Sequence, residues 1–90
     1  MVEQTLEIRG ISLSQICTYL NELGGLQQTV TFPILFTNED WSGEILYEVE
    51  VQITSRFSVN AIHIHFTSAD EPILEEIIRN FRKKTMRIGG

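Results

Sequence analysis

The sequence predicts an α+β protein in which two amphipathic helices cover one face of an antiparallel sheet. Several segments alternate apolar and polar residues, and such alternation indicates strands with one buried face, which is typical of antiparallel sheets. Two other segments repeat apolar residues at intervals of three and four, the pattern of an amphipathic helix. The expected order is β-α-β-β-β-α, with about four strands in a single domain at residues 1–90.

Local signals define the first strand and the first helix. Residues 2–9 alternate and predict a half-buried strand. Ser12 and Gln15 have the spacing of a capping box, which marks a helix N-terminus. Gly24 ends the helix, because glycine adopts the left-handed conformation after a helix at little cost. The predicted helix therefore spans 12–24.

Three further strands are predicted at 28–36, 44–54 and 60–66. Pro33 lacks a donor for the ladder, so the first of these strands is expected to be an edge, or to be bent or bulged there. The other two strands are close enough in sequence to form a hairpin. The residues expected to face inward are Val30, Phe32, Ile34, Phe36, Ile45, Tyr47, Val49, Val51, Ile53, Ile62, Ile64 and Phe66.

A second helix is predicted at 70–84, with Asp70 as its N-cap. The residues from 79 to 87 contain no acid and five of the seven basic residues, namely Arg79, Arg82, Lys83, Lys84 and Arg87. Cations near a helix C-terminus complement the helix dipole, which is one explanation for this cluster. The other is partner binding, for which the candidates are Arg82, Lys83, Lys84, Arg87, Gly89 and Gly90. We expect a flexible basic tail ending in Gly-Gly from about residue 85.

Two single residues have a core interpretation beside a functional one. Trp41 lies in a polar loop, where it is a candidate for partner binding. The favoured interpretation is that Trp41 folds back to seal the edge of the core. Cys17 lies on the apolar face of the first helix, with no activating base near it in sequence. We therefore interpret Cys17 as a core thiol rather than a nucleophile.

His63 and His65 lie two residues apart on the exposed face of a predicted strand. The expected hairpin register places Glu50 near His63 and Glu48 near His65. Such a group would be a weak candidate for a metal site. Cross-strand charge pairing explains the same pattern equally well, so no metal ion is predicted.

Composition excludes several classes of function. The net charge is −5 at pH 7, whereas nucleic-acid binding needs a basic surface. No apolar segment approaches the roughly 20 residues that span a bilayer. A single cysteine forms no internal disulfide, which favours a reducing, cytoplasmic location. No catalytic motif is present, so we expect neither an enzyme nor a cofactor.

The Gly-Gly at the end is similar to that of ubiquitin-like sulfur carriers, including the small subunit of molybdopterin synthase. Their β-grasp fold begins with a hairpin, however, whereas this chain begins β-α. The whole chain more closely resembles the domain of uncharacterised function behind the ubiquitin-like domain in molybdopterin-synthase-small-subunit-related (MoaD-related) bacterial proteins. The similar segments are Tyr19–Gly25, Tyr47–Val51, Phe57–Phe66 and Phe81–Gly90.

This resemblance implies a TATA-binding-protein-like fold, which is a curved antiparallel sheet with two helices on one face, and it offers no catalytic residues to carry over. The leading hypothesis is a non-catalytic accessory or binding domain linked to molybdenum-cofactor or sulfur-carrier pathways, with a protein partner of unknown identity. A second hypothesis is a structural module that forms a homodimer through its exposed sheet face or edge. A third is a free-standing carrier that is activated at the C-terminal Gly-Gly.

Overall fold

Five strands and two helices follow one another in the computed structural model, which describes the backbone of residues 1–89 and the side chains of residues 1–86. They are β1 (Val2–Arg9), α1 (Leu13–Glu22), β2 (Leu26–Gln27), β3 (Ile34–Thr37), β4 (Trp41–Thr54), β5 (Phe57–Ser68) and α2 (Glu71–Gly89). The strands form one open antiparallel sheet with the spatial order β1-β5-β4-β3-β2. The α+β class is confirmed, but the sheet has five strands rather than about four.

The segment predicted as one strand at 28–36 is a turn followed by β3, and the additional strand, β2, lies before it at Leu26–Gln27. The Thr29 hydroxyl lies 2.9 Å from both the Pro33 carbonyl oxygen and the Leu35 backbone nitrogen, donating to the first and accepting from the second. These bonds close a compact turn between β2 and β3. Val30 is 83% exposed and Phe32 is also exposed, so the expectation that they face the core is wrong.

Capping at both ends of α1 follows the sequence signals. The Ser12 hydroxyl accepts a hydrogen bond from the Gln15 backbone nitrogen at 3.2 Å, which satisfies one of the free donors of the first turn. At the other end, Gly24 has φ of +99°, a conformation that other residues adopt only with strain. Both predicted helix boundaries are therefore confirmed within two residues.

The helices and the inner face of the sheet enclose one apolar core. At its centre are Phe36, Phe66, Phe81, Ile16, Leu20, Ile45, Ile62 and Ile64, all fully buried. The Phe66 ring packs edge-on against Phe81 of α2, with 5.4 Å between ring centroids. Such contacts fix how α2 lies across β5, because aromatic edges favour this geometry.

The second helix starts as predicted and continues further. The Asp70 carboxylate accepts from the Ile73 backbone nitrogen at 3.1 Å, which confirms the predicted cap. The helix then runs to Gly89 rather than ending at 84, and Thr85 is buried. The expected mobility of the segment from residue 85 remains a prediction. Neither helix, as far as the structure describes them, is both long and apolar enough to cross a bilayer.

Replacing Ile64 tests the assignment of the core. Ile64 is fully buried and pairs with Leu6 on one side and Ile45 on the other. Ile64→Ala should lower the free energy of unfolding by about 2–5 kcal/mol, through lost burial and the cavity that remains. Ile53→Ala is the matched control, because Ile53 is 48% exposed. Chemical denaturation would contradict the assignment if both variants lost the same stability.

Candidate functional site

An extra residue in β4 changes the face that the strand presents from Tyr47 to Gln52, and a second irregularity follows between Gln52 and Thr54. Ile45 pairs with Ile64, and the next pair along the two strands is Tyr47 with His63. Leu46 is thus a β-bulge, without an opposite residue on β5. Because side chains alternate along a strand, an inserted residue reverses the facing of the residues that follow it, up to the next irregularity.

The bulge overturns the expectation that Tyr47, Val49 and Val51 face inward. Tyr47, Val49 and Val51 lie on the outer face of the sheet, opposite to the helices. On β5, Val59 pairs with Val51, and Phe57 is on the same face two residues away. We call this set the apolar stripe; its members are Tyr47, Val49, Val51, Phe57 and Val59.

The apolar stripe lies on a projecting part of the hairpin, residues 47–59, which we call the arm. None of the residues of the arm is buried. Tyr47, Val49 and Phe57 are 47%, 42% and 57% exposed. Single exposed apolar residues are common, but a contiguous row of them is typical of a binding surface.

Aromatic stacking and a contact with a carboxylate organise the base of the stripe. The rings of Tyr47 and His63 are stacked, with centroids 4.4 Å apart and planes at 19°. His63 Nε2 also lies 3.4 Å from a carboxylate oxygen of Glu7 on β1. Tyr47 is therefore held in place from β5 and, through His63, from β1.

The second histidine also contacts β1 rather than β4. His65 Nε2 lies 2.9 Å from a carboxylate oxygen of Glu3, and its Nδ1 lies 2.8 Å from the Thr5 hydroxyl. With the ring proton on Nε2, the imidazole donates to Glu3 and accepts from Thr5. Both ring nitrogens of His65 thus have partners.

The predicted neighbours Glu48 and Glu50 are on the wrong side of the sheet for the histidines. Glu48 pairs with Ile62 and Glu50 pairs with Asn60, so the expected register is wrong. Glu48 instead accepts a hydrogen bond at 2.9 Å from the Asn60 amide. No cluster of three or more metal-ligating side chains occurs among the residues that the structure describes.

Trp41 has the core position that the sequence favoured. It is 7% exposed, and its ring lies edge-on to Phe66 with 6.1 Å between centroids. A side chain on Gly25 would come within 2.8 Å of the Trp41 ring, so the glycine after α1 makes room for it. Little of Trp41 is therefore left for a partner to contact.

The basic residues of α2 fall into two groups. Lys84 donates to a carboxylate oxygen of Glu22 on α1 at 2.9 Å and lies 5.9 Å from the centre of the Tyr19 ring. Arg82 and Lys83 are exposed, and neither pairs with a carboxylate of the described side chains. The side chain of Arg87 lies outside the described part of the chain, as does the whole of Gly90, and Gly89 is described only as the last backbone position of α2.

Sequence reasoning missed Phe57 and Val59 as members of an exposed surface. Phe57 falls between the strands predicted at 44–54 and 60–66, yet it lies in β5, opposite Thr54. A phenylalanine in a short polar turn was the available signal, because turns favour glycine, proline and small polar residues. Leu46 gave no signal, since apolar residues at every second position continue past it.

Cys17 provides a prediction about reactivity. Burial raises the pKa of its thiol above the ordinary value of 9.0, because desolvation disfavours the thiolate. Iodoacetamide should therefore alkylate Cys17 more slowly in the folded protein than in denaturant, with a pH midpoint above 9.0. The contribution of the Cys17 thiol to the free energy of unfolding is present below its pKa in the unfolded chain, and it is lost as pH rises through the raised pKa of the folded protein. Equal rates in both states would contradict this, and Cys17→Ser provides the blank.

Comparison with known proteins identifies the family of the chain. No curated protein and no solved structure matches it significantly. The sequence model of one family, described as archaeal MoaD-like protein, matches residues 4–90. This match spans nearly the whole sequence, including the arm and both helices. The chain therefore belongs to the archaeal MoaD-like protein family.

Proposed function

We propose that this chain is a non-catalytic binding domain of a molybdenum-cofactor or sulfur-carrier pathway, and that it holds a protein partner on the arm. Membership of the archaeal MoaD-like family supports the pathway. The exposed apolar stripe is the observation that carries the binding role. The first partner to test is a ubiquitin-like sulfur carrier, because the domain that this chain resembles occurs fused to a ubiquitin-like domain.

The stripe has the composition of an interface centre. It places the aromatic residues Tyr47 and Phe57 towards its two ends, with three valines between them. Aromatic side chains dominate binding energy at protein interfaces, and apolar residues concentrate at the interface core. The helices cover the opposite face of the sheet, so the stripe does not serve the core of the fold.

A non-catalytic role is supported by the state of the reactive side chains. Cys17 has a raised thiol pKa because of burial, which disfavours the nucleophilic thiolate. Both ring nitrogens of His65 have partners, and His63 is stacked on Tyr47. These histidines act in our proposal as structural supports for the outer face.

Several finer assignments belong to the same proposal. We propose a single domain at residues 1–90, a sheet curved as in TATA-binding-protein-like folds, and a cytoplasmic location. The two helices on one face of an antiparallel sheet support the fold comparison. We also propose that the partner is a protein rather than a nucleic acid, because the net charge is −5.

A homodimer is the second candidate function, and the same stripe favours it. Two copies could bury their stripes face to face, as the sheets of a β-sandwich do. Sedimentation equilibrium distinguishes this case, because a dimer forms without any added partner. The proposal of a sulfur-carrier partner fails if Val49→Glu dissociates such a dimer.

The third candidate is a carrier activated at Gly90. The family match supports it, while the terminal residue lies outside the described residues. Incubation with an adenylating activating enzyme and ATP, followed by intact mass spectrometry, tests this candidate. A covalent adduct on Gly90 would favour the carrier over the binding domain.

A charge placed on the stripe should prevent partner binding without unfolding the protein. Val49→Glu should weaken binding of the ubiquitin-like sulfur carrier by about tenfold or more, since it buries an unpaired carboxylate at the interface centre. Gln52→Glu is the matched control, because Gln52 is exposed on the opposite face of the arm. Titration calorimetry measures both, and chemical denaturation verifies the fold. Absence of wild-type binding, or equal effects of the two variants, would overturn the proposal.

A further inference from the structure

The edge of the sheet at β1 has backbone groups that no strand of the described chain pairs. β1 ends the strand order, with β5 on its other side. The Gly10 nitrogen donates to the Asn60 carbonyl at 3.0 Å. Along an antiparallel strand, the backbone N–H and C=O groups of successive residues point alternately to the two neighbouring positions. This one bond therefore shows which residues of β1 bond to β5. The residues whose N–H and C=O groups point away from β5 are therefore Glu3, Thr5, Glu7 and Arg9.

A groove of about 400 Å³ lies beside this edge. Gln4 of β1 forms one side of it, and α2 forms the other. Ile78 contributes a buried apolar surface, and Met86 is 71% exposed at the C-terminal end of α2. An open strand edge next to a helix is the arrangement in which proteins bind extended peptides by strand addition.

Positive charge lines most of the helical side of the groove. Arg79, Arg82 and Lys83 line it and are exposed, and none pairs with a carboxylate of the described side chains. Lys84 differs, since it is held by Glu22 on α1. Glu75 is the one acid that lines the groove, near the N-terminal end of α2.

We propose that the β1 edge binds an extended acidic segment of another protein as a sixth strand of the sheet. The backbone of the segment pairs with the free groups of β1. Every second side chain of an added strand points to the helical side, where carboxylates meet Arg79, Arg82 and Lys83. This surface is separate from the apolar stripe on the arm, so the two proposals stand independently.

The charges favour an acidic segment over a second copy of this chain. In a symmetric pairing of two β1 edges, the side chains facing the helices are Val2, Gln4, Leu6 and Ile8. None of these carries a carboxylate for the groove. The same pairing brings two α2 helices, each with exposed Arg79 and Arg82, to the same face of the joined sheet, and like charges repel there.

Synthetic peptides of about seven residues, alternating glutamate with threonine, are suitable probes of strand addition. Fluorescence anisotropy of a labelled peptide measures its binding to the full chain. Exchanging each glutamate for glutamine should weaken binding by about tenfold, because the charge complementarity is lost. Two further peptides carry N-methyl groups on every second backbone nitrogen. One is methylated on the odd-numbered residues and the other on the even-numbered residues. Only one of these should lose binding, since only one set of N–H groups faces β1.

Protein variants locate the site. Arg82→Glu should weaken binding of the glutamate peptide by about tenfold, whereas Arg56→Glu, at the exposed tip of the arm, should leave it unchanged. Circular dichroism verifies that both variants fold. The proposal is overturned if the glutamate and glutamine peptides bind equally well. It is also overturned if both N-methylated peptides bind as tightly as their parent. If the wild-type chain forms a dimer that Arg82→Glu dissociates, the proposal is also overturned, because the β1 edge is then occupied by a second copy of the chain.

Discussion

The position of β5 between β1 and β4 is the constraint on which the rest of the structure depends. β5 pairs with both neighbours, and its inner residues Ile62, Ile64 and Phe66 are fully buried. Phe66 contacts both Trp41 and Phe81, so one side chain joins β4, β5 and α2. A side chain on Gly43, which pairs with Phe66, would approach that ring to 3.2 Å. Packing at this point therefore limits what the neighbouring strand can carry.

Because β5 keeps a regular alternation and β4 does not, one hairpin serves two purposes. Near the helices, Ile45 and Ile64 share the core face. Beyond the bulge at Leu46, Tyr47, Val49 and Val51 lie on the outer face instead. The protein gains by this a hydrogen-bonded platform for apolar side chains that its own core does not use. Bulges near functional surfaces commonly re-aim side chains in this way.

Local signals allowed much of the fold to be predicted, whereas features set by pairing did not. Ser12, Gly24 and Asp70 act on their own segments, and all three cap helices as expected. The segment predicted as a strand at 28–36 begins instead as a turn, which the hydrogen bonds of the Thr29 hydroxyl close. The bulge depends on alignment with β5, so a continuous alternating pattern conceals it. The partners of the histidines lie on β1, which is distant in sequence, whereas the expected partners were on β4.

The arm has one more consequence, which concerns the free energy of local opening. Its strands bond to each other beyond the helices, and none of its residues is buried. Local unfolding of such a segment exposes little apolar surface, so it costs less than global unfolding. Amide hydrogens should exchange fastest near Arg56 and more slowly towards Ile62. A partner on the outer face would raise that protection, so the arm would report occupancy through its exchange rates while the core remained unchanged.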